Sequence, residues 1–112
     1  MASLSSKTCT PCTKSTSPLI GKPLLQLHKQ LGSYWQLIDE HHIEREYRFP
    51  NFKEALAFVN RVGSLAESEG HHPDITLSWG RVKIQLCTHK INGLSENDFI
   101  LASKCDALIG PK

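Results

Sequence analysis

Beyond residue 17 the apolar positions fall in short blocks whose period switches between that of a helix and that of a strand. Leu19, Ile20, Leu24, Leu25, Leu27 and Leu31 recur at helical intervals between Pro18 and a stop at Gly32-Ser33, which predicts a first short helix. Tyr34 to Ile38 reads as a strand, and Ile43 to Phe49 alternates less cleanly as a second, with a hairpin turn around residues 39–42. Asn51 is placed to cap a longer helix whose apolar face, Phe52, Ala55, Leu56, Val59, Val62 and Ala66, advances in steps of three and four and stops near Gly70. Ile75, Leu77 and Trp79 alternate with polar residues, as do Val82, Ile84 and Leu86. Between them Gly80-Arg81 has the form of a two-residue turn of type II′. The last helix has a capping box, Ser95 with Asp98, and a hydrophobic staple, Leu94 with Phe99; it is expected to reach Leu108 and stop at Gly110-Pro111.

The resulting order, α-β-β-α-β-β-α, predicts an α+β domain: a four-stranded, largely antiparallel sheet with three helices on one face. The domain spans 18–112. Residues 1–17 carry Ser, Thr, Lys and Pro, no acidic residue and almost no large apolar side chain, so they read as a disordered arm. That arm lacks the apolar stretch of a secretory signal and has no arginine, which favours a cytoplasmic protein over one with a plastid or mitochondrial address.

Composition narrows the function classes. The 112 residues hold 13 Lys and Arg against 11 Asp and Glu, a formal charge of +2 with no basic run or face, so nucleic acid is not an implied partner. No apolar stretch approaches the ~20 residues of a membrane span. Four cysteines, Cys9, Cys12, Cys87 and Cys105, do not make a disulfide framework. Cys9-Thr10-Pro11-Cys12 has the spacing of a zinc or redox pair, but no second pair follows at a zinc-ribbon interval, and free thiols are the simpler reading.

The second hairpin singles out histidines. With the turn at Gly80-Arg81, Trp79 faces Val82 and the same register sets His72 opposite His89, roughly 4.5–5.5 Å apart at Cβ. Pro73 cannot donate to a ladder, so His71 and His72 are equally open to lying in the connection before the strand. Neighbouring strand residues point to opposite faces, and no fourth ligand accompanies the three histidines, which disfavours a metal. The residues alone support a neutral-pH acid/base site with no nucleophile, phosphate loop or dinucleotide fingerprint.

The run Glu67-Ser-Glu-Gly-His71-His72-Pro73, followed by Trp79, His89 and Asp98, resembles the signature of the pterin-4a-carbinolamine dehydratases. Thr88-His89, Gly93-Leu94-Ser95, Trp35 and Tyr47-Arg48-Phe49 extend the similarity over roughly residues 18 to 109, and the Cys9/Cys12 tail is similar to an extension of some bacterial members. Asn97 stands where animal relatives commonly have arginine, which bears on substrate affinity more than on the reaction. The resemblance implies dehydration of a 4a-hydroxytetrahydropterin to a quinonoid dihydropterin in tetrahydropterin regeneration, without metal or organic cofactor. It implies His71, His72 and His89 as catalytic residues, with proton transfer assigned to His72 and His89 and His71 binding substrate or sharing the acid role. Asp98, Glu67, Trp35 and Pro73 follow as binding or orienting residues, though Trp35 and Trp79 each read more readily as core. It also implies a homodimer or homotetramer. The competing expectation is a non-catalytic dimerisation or assembly module of the same fold, against which retention of all three histidines argues.

Overall fold

The computed structural model describes Leu4, Cys9 and residues 17–109. The chain forms α1 (Gly21–Leu31), β1 (Gln36–Ile38), β2 (His42–Arg48), α2 (Phe52–Glu69), β3 (Asp74–Ser78), β4 (Arg81–Leu86), a 3-10 turn (His89–Ile91) and α3 (Glu96–Ala107). The strands make one sheet in the order β1-β2-β4-β3, every pairing antiparallel. This is the α+β arrangement that the alternating periods predict. Of the expected arm, Leu4 is buried in the core and Cys9 is half-buried against it; the rest, like the stop at Gly110-Pro111, lies outside the described residues.

Helix ends follow their sequence signals. The Asn51 side chain accepts a hydrogen bond from the Glu54 N–H at 2.9 Å, and α2 closes at Gly70, whose φ of 67° is the left-handed conformation that glycine adopts without Cβ strain. Ser95 and Asp98 form the reciprocal capping box of α3. The face of α2 that is fully buried is Ala55, Phe58, Val62 and Ala66, so the stripe is rotated from the expected one, and Phe52 and Leu56 lie exposed on its flank. Across from it the sheet contributes Ile43, Tyr47, Val82, Ile84 and Leu86, one face of two alternating strands. Burial of α3 extends nearly all round, from Phe99, Ile100, Leu101 and Ala102 to Cys105.

The register of the second hairpin differs from the expectation. Ser78 pairs with Arg81 and Asp74 with Gln85, so the turn is Trp79-Gly80, and β3 begins only after Pro73. The reason lies in a third chain segment. A Cβ on Gly80 would stand 2.7 Å from the Phe49 carbonyl oxygen, and the Phe49 N–H donates to the Gly80 carbonyl at 2.8 Å. Gly80 is glycine because the end of β2 passes close over it. Trp79 is therefore exposed at the turn and is not a core residue.

One charged cluster joins the sheet to the end of α3. The Asp106 carboxylate accepts from Trp35 Nε1 at 3.0 Å, from Arg45 at 2.7 Å and from the Tyr47 hydroxyl. The Arg45 guanidinium lies between the rings of Tyr34 and Tyr47, 4.4 and 4.3 Å from their centroids. Burial, with the Asp106 charge second, pushes the Tyr47 phenol well above its ordinary range. Asp106→Ala strands a half-buried guanidinium together with two ring donors, and is expected to cost about 2 kcal/mol in urea unfolding. A loss below about 1 kcal/mol would show the cluster to be dispensable.

Candidate active site

Three chain segments converge at one end of the molecule. The first leaves α2 at Gly70, where the left-handed residue turns the chain and the His71 N–H bonds back to the Ala66 carbonyl at 3.3 Å. The second follows β4: Thr88 pairs with Gly93, and the 3-10 turn between them carries His89. The third is the first turn of α3, which carries Asp98.

Asp98 ties the three together. Its side chain has no exposed surface, and a buried carboxylate is tolerated only when its oxygens are filled by donors. Oδ2 accepts from the Ser95 N–H at 2.9 Å and from the Thr88 hydroxyl at 2.8 Å. Oδ1 takes His71 Nε2 at 2.6 Å. A carboxylate accepts and does not donate, so His71 carries a proton on Nε2, and Nδ1 is the ring nitrogen left to act on a substrate. The Ser95 hydroxyl, 2.8 Å from that of Thr88, completes the buried set.

In front of this set lies an open cavity of about 420 Å³ whose walls include His71, His72, His89, Cys87, Thr88 and Asn97. That volume falls within the range of small-molecule sites, roughly 300–1,000 Å³. The three signature histidines therefore share one hollow, though not by the cross-strand pairing expected. With β3 starting at Asp74, His71 and His72 lie in the connection before the strand, and His89 lies in the 3-10 turn beyond β4. His72 stands at the rim, 60% exposed, with Nε2 2.9 Å from Glu67 Oε1. His89 is also exposed, and its Nδ1 is 3.8 Å from the Cys87 sulfur. Burial and the negative charges of Asp98 and Asp74 push the Cys87 thiol up, so it is held protonated.

Other expected residues lie elsewhere. Trp35 is buried beside Asp106 and lines no part of the cavity. Pro73 lines a separate shallow depression with Glu67, His72 and Val59. No group of three or more His, Cys, Asp or Glu among the described residues is arranged to hold a metal ion, and no described helix is long and apolar enough to cross a membrane.

The chain matches the family model described as pterin 4 alpha carbinolamine dehydratase over residues 18–108. It belongs to that family. A protein of Alkaliphilus metalliredigens assigned as a pterin-4-alpha-carbinolamine dehydratase is 54% identical over 106 residues, 95% of this chain and 96% of the other. A similarly assigned protein of Rubrobacter xylanophilus is 53% identical over 96% of this chain and 100% of its own. Among solved structures, a transcriptional coactivator/pterin dehydratase from Brucella melitensis superposes with a TM-score of 0.77 at 30% identity, covering 84% of this chain and all of that one. A pterin dehydratase-like protein described as a RuBisCO assembly factor in the alpha-carboxysome superposes with a TM-score of 0.61 over 73% of this chain and 96% of its own. At 23% identity that second likeness concerns the fold alone.

Within this dehydratase-family site, sequence reasoning passed over Cys87, Thr88 and Glu69 as chemistry, and read Cys9 as a free thiol of the arm without placing it at the cavity, which it lines with Glu69. A signal for Thr88 was present. A buried N3 aspartate needs more donors than its own helix cap provides, and Thr88 directly precedes the motif histidine. His41, outside the motif, reaches the same region, with Nε2 3.0 Å from Asn92 Oδ1 in the loop that carries His89. From the Asp98 contact, neutral His71 is expected in the Nε2–H tautomer, and Asp98→Ala should release that preference. Long-range nitrogen–proton NMR correlations read both, and an Nδ1–H ring in the parent protein would refute the orientation given to Asp98.

Proposed function

We propose that this protein dehydrates a 4a-hydroxytetrahydropterin to the quinonoid dihydropterin, and that His71 and His89 carry the proton transfers while His72 contacts the bound substrate. The observation that carries this reading is the His71–Asp98 pair, an imidazole locked in one tautomer by a buried carboxylate and facing a cavity it shares with the other two motif histidines. In the reaction the C4a–O bond breaks and a nitrogen–C4a double bond forms. The departing oxygen takes one proton and leaves as water; the ring nitrogen gives one up. No change of oxidation state accompanies the step, so acid/base groups suffice for it. Hydroxide is a poor leaving group at neutral pH. A positioned imidazolium that protonates it, and a neutral imidazole that accepts the nitrogen proton, are each typically worth about 10²–10⁴ in rate.

The roles of His72 and His89 follow from their surroundings. His72 is half out of the cavity and tied to the exposed Glu67, which suits contact with the outer part of a ligand. His89 has Nδ1 against the Cys87 thiol, which leaves Nε2 for the substrate. The decisive experiment is single-turnover dehydration of a chemically prepared 4a-hydroxypterin. His71→Ala and His89→Ala should each slow turnover by about two orders of magnitude, whereas His72→Ala should chiefly raise KM. Exhaustive chelation should leave the parent rate unchanged. Parent-like rates in both His71→Ala and His89→Ala would remove these residues from the chemistry and favour the non-catalytic module, while a chelator-sensitive rate restored by zinc would overturn the metal-free mechanism.

We further take the working unit to be a homodimer or homotetramer. Strands β1 and β3 bound the sheet, each presenting an edge with no partner strand among the described residues, and such edges are ordinarily covered. Light scattering at micromolar concentration should give a mass at least twice that of the chain; a monomer would contradict it.

A further inference from the structure

The cavity has a wall that does not come from the histidine segments. Cys9, more than 60 positions before His71 in the chain, lines it alongside the three histidines. Two contacts hold Cys9 in place. Its backbone N–H donates to Glu69 Oε1 at 2.9 Å, and its thiol donates to the Asn97 carbonyl at 3.6 Å. Glu69 is itself fixed: its other oxygen accepts from Lys104 Nζ at 2.7 Å, with both side chains largely buried. Those contacts join the last turn of α2 to α3, one residue from Gly70 and one from Asp98. Leu4, five residues earlier in the chain, is likewise buried in the core.

The Cys9 thiol is a neutral surface. Burial, with the Glu69 charge second, pushes it up to about 12. A small uncharged side chain is suited to packing against a flat heterocycle, and its proton is committed to a backbone carbonyl. Glu69 is held low, chiefly by the Cys9 N–H and next by Lys104, and is therefore a charged acceptor at neutral pH.

We infer that Cys9 is a wall of the pterin site, contributed by the N-terminal arm, and that Glu69 is the positioning residue that holds it there. Two consequences separate this from a purely structural role. Enlarging the wall obstructs the ligand without touching the acid/base groups, and removing the Glu69 carboxylate loosens Cys9 without moving His71. The inference rests on the pterin reading given above.

The test uses the full chain and four variants, each checked for parent-like near-ultraviolet circular dichroism. Biopterin, a stable oxidised pterin, serves as the binding probe, and a neutral maleimide reports the exposure of Cys9, located by peptide fragmentation. Cys9→Phe should raise KM and the biopterin Kd by about tenfold while kcat stays within about twofold, the mark of lost uniform binding. Glu69→Ala should raise both constants several-fold and speed alkylation of Cys9 well beyond the rate in Glu69→Gln, which loses the same charge on the thiol. Glu69→Gln keeps an acceptor for the Cys9 N–H and should restore most of the binding. Cys9→Ala, which shortens the wall, should fall between the parent and Cys9→Phe. An unchanged KM and Kd in Cys9→Phe would overturn the wall, and unchanged alkylation in Glu69→Ala would overturn the positioning role. A parent protein that binds no biopterin yet shows faster Cys9 alkylation on Glu69→Ala would instead overturn the pterin reading and leave the anchoring standing.

Discussion

The site depends on one buried negative charge. A carboxylate removed from water is costly unless its oxygens are filled, and Asp98 is filled by the Ser95 N–H, the Thr88 hydroxyl and His71 Nε2, at 2.6–2.9 Å. Each donor belongs to a different functional piece: the cap of α3, the strand-to-turn junction before His89, and the connection after α2. The same charge therefore starts a helix, closes a loop and aligns an imidazole. None of the three can shift without leaving part of it unpaired.

A second carboxylate does comparable work at the other end of α3. Asp106 gathers Trp35, Arg45 and Tyr47 from β1 and β2 and their approach, so that helix is tied at its first turn to the cavity and near its last to the far half of the sheet. This explains why α3 lacks the one-sided apolar stripe of a surface helix. It packs against α1 and α2 and bonds to the sheet through Asp106, and two of its polar positions, Asp98 and Asp106, are taken up by these networks rather than by solvent.

Much of this was legible in the residues. The capping box at Ser95 and Asp98, the Asn51 cap and the Gly70 stop are local signals, and each element they bound formed within a few residues of its expected limits. The fold class followed from hairpins alternating with helices. What was not legible was non-local. The register of the second hairpin turned on a contact between Gly80 and Phe49, separated in the chain by α2 and β3, and a glycine required for close approach looks in sequence like a glycine required for turn geometry. The same limit hid Cys9: a thiol in a polar tail carries no sign that Glu69 and Asn97 await it. Trp35 shows the converse case, since an aromatic in a motif suggests a ligand platform until its indole N–H is found on Asp106. The histidines were identified by spacing, but their arrangement around Asp98 required the fold.

The contrast between the anchors of Cys9 and those of Asp98 sets an order of opening. Every donor to Asp98 comes from residues 71–95, a contiguous stretch, whereas the contacts of Cys9 close loops of 60 and 88 residues. Release of Cys9 breaks its bonds to Glu69 and Asn97 and none of those on Asp98. Such a release leaves the elements from α1 to α3 folded, whereas opening the Asp98 network disturbs the end of α2, the start of α3 and the turn after β4 together, so the former is the smaller local opening. Amide hydrogen exchange is on this basis expected to be faster at Cys9 than at His71, Thr88 and Ser95, although all four belong to one region of the molecule. A ligand entering this cavity would meet one boundary whose opening leaves the contacts of His71 and Thr88 with Asp98 in place.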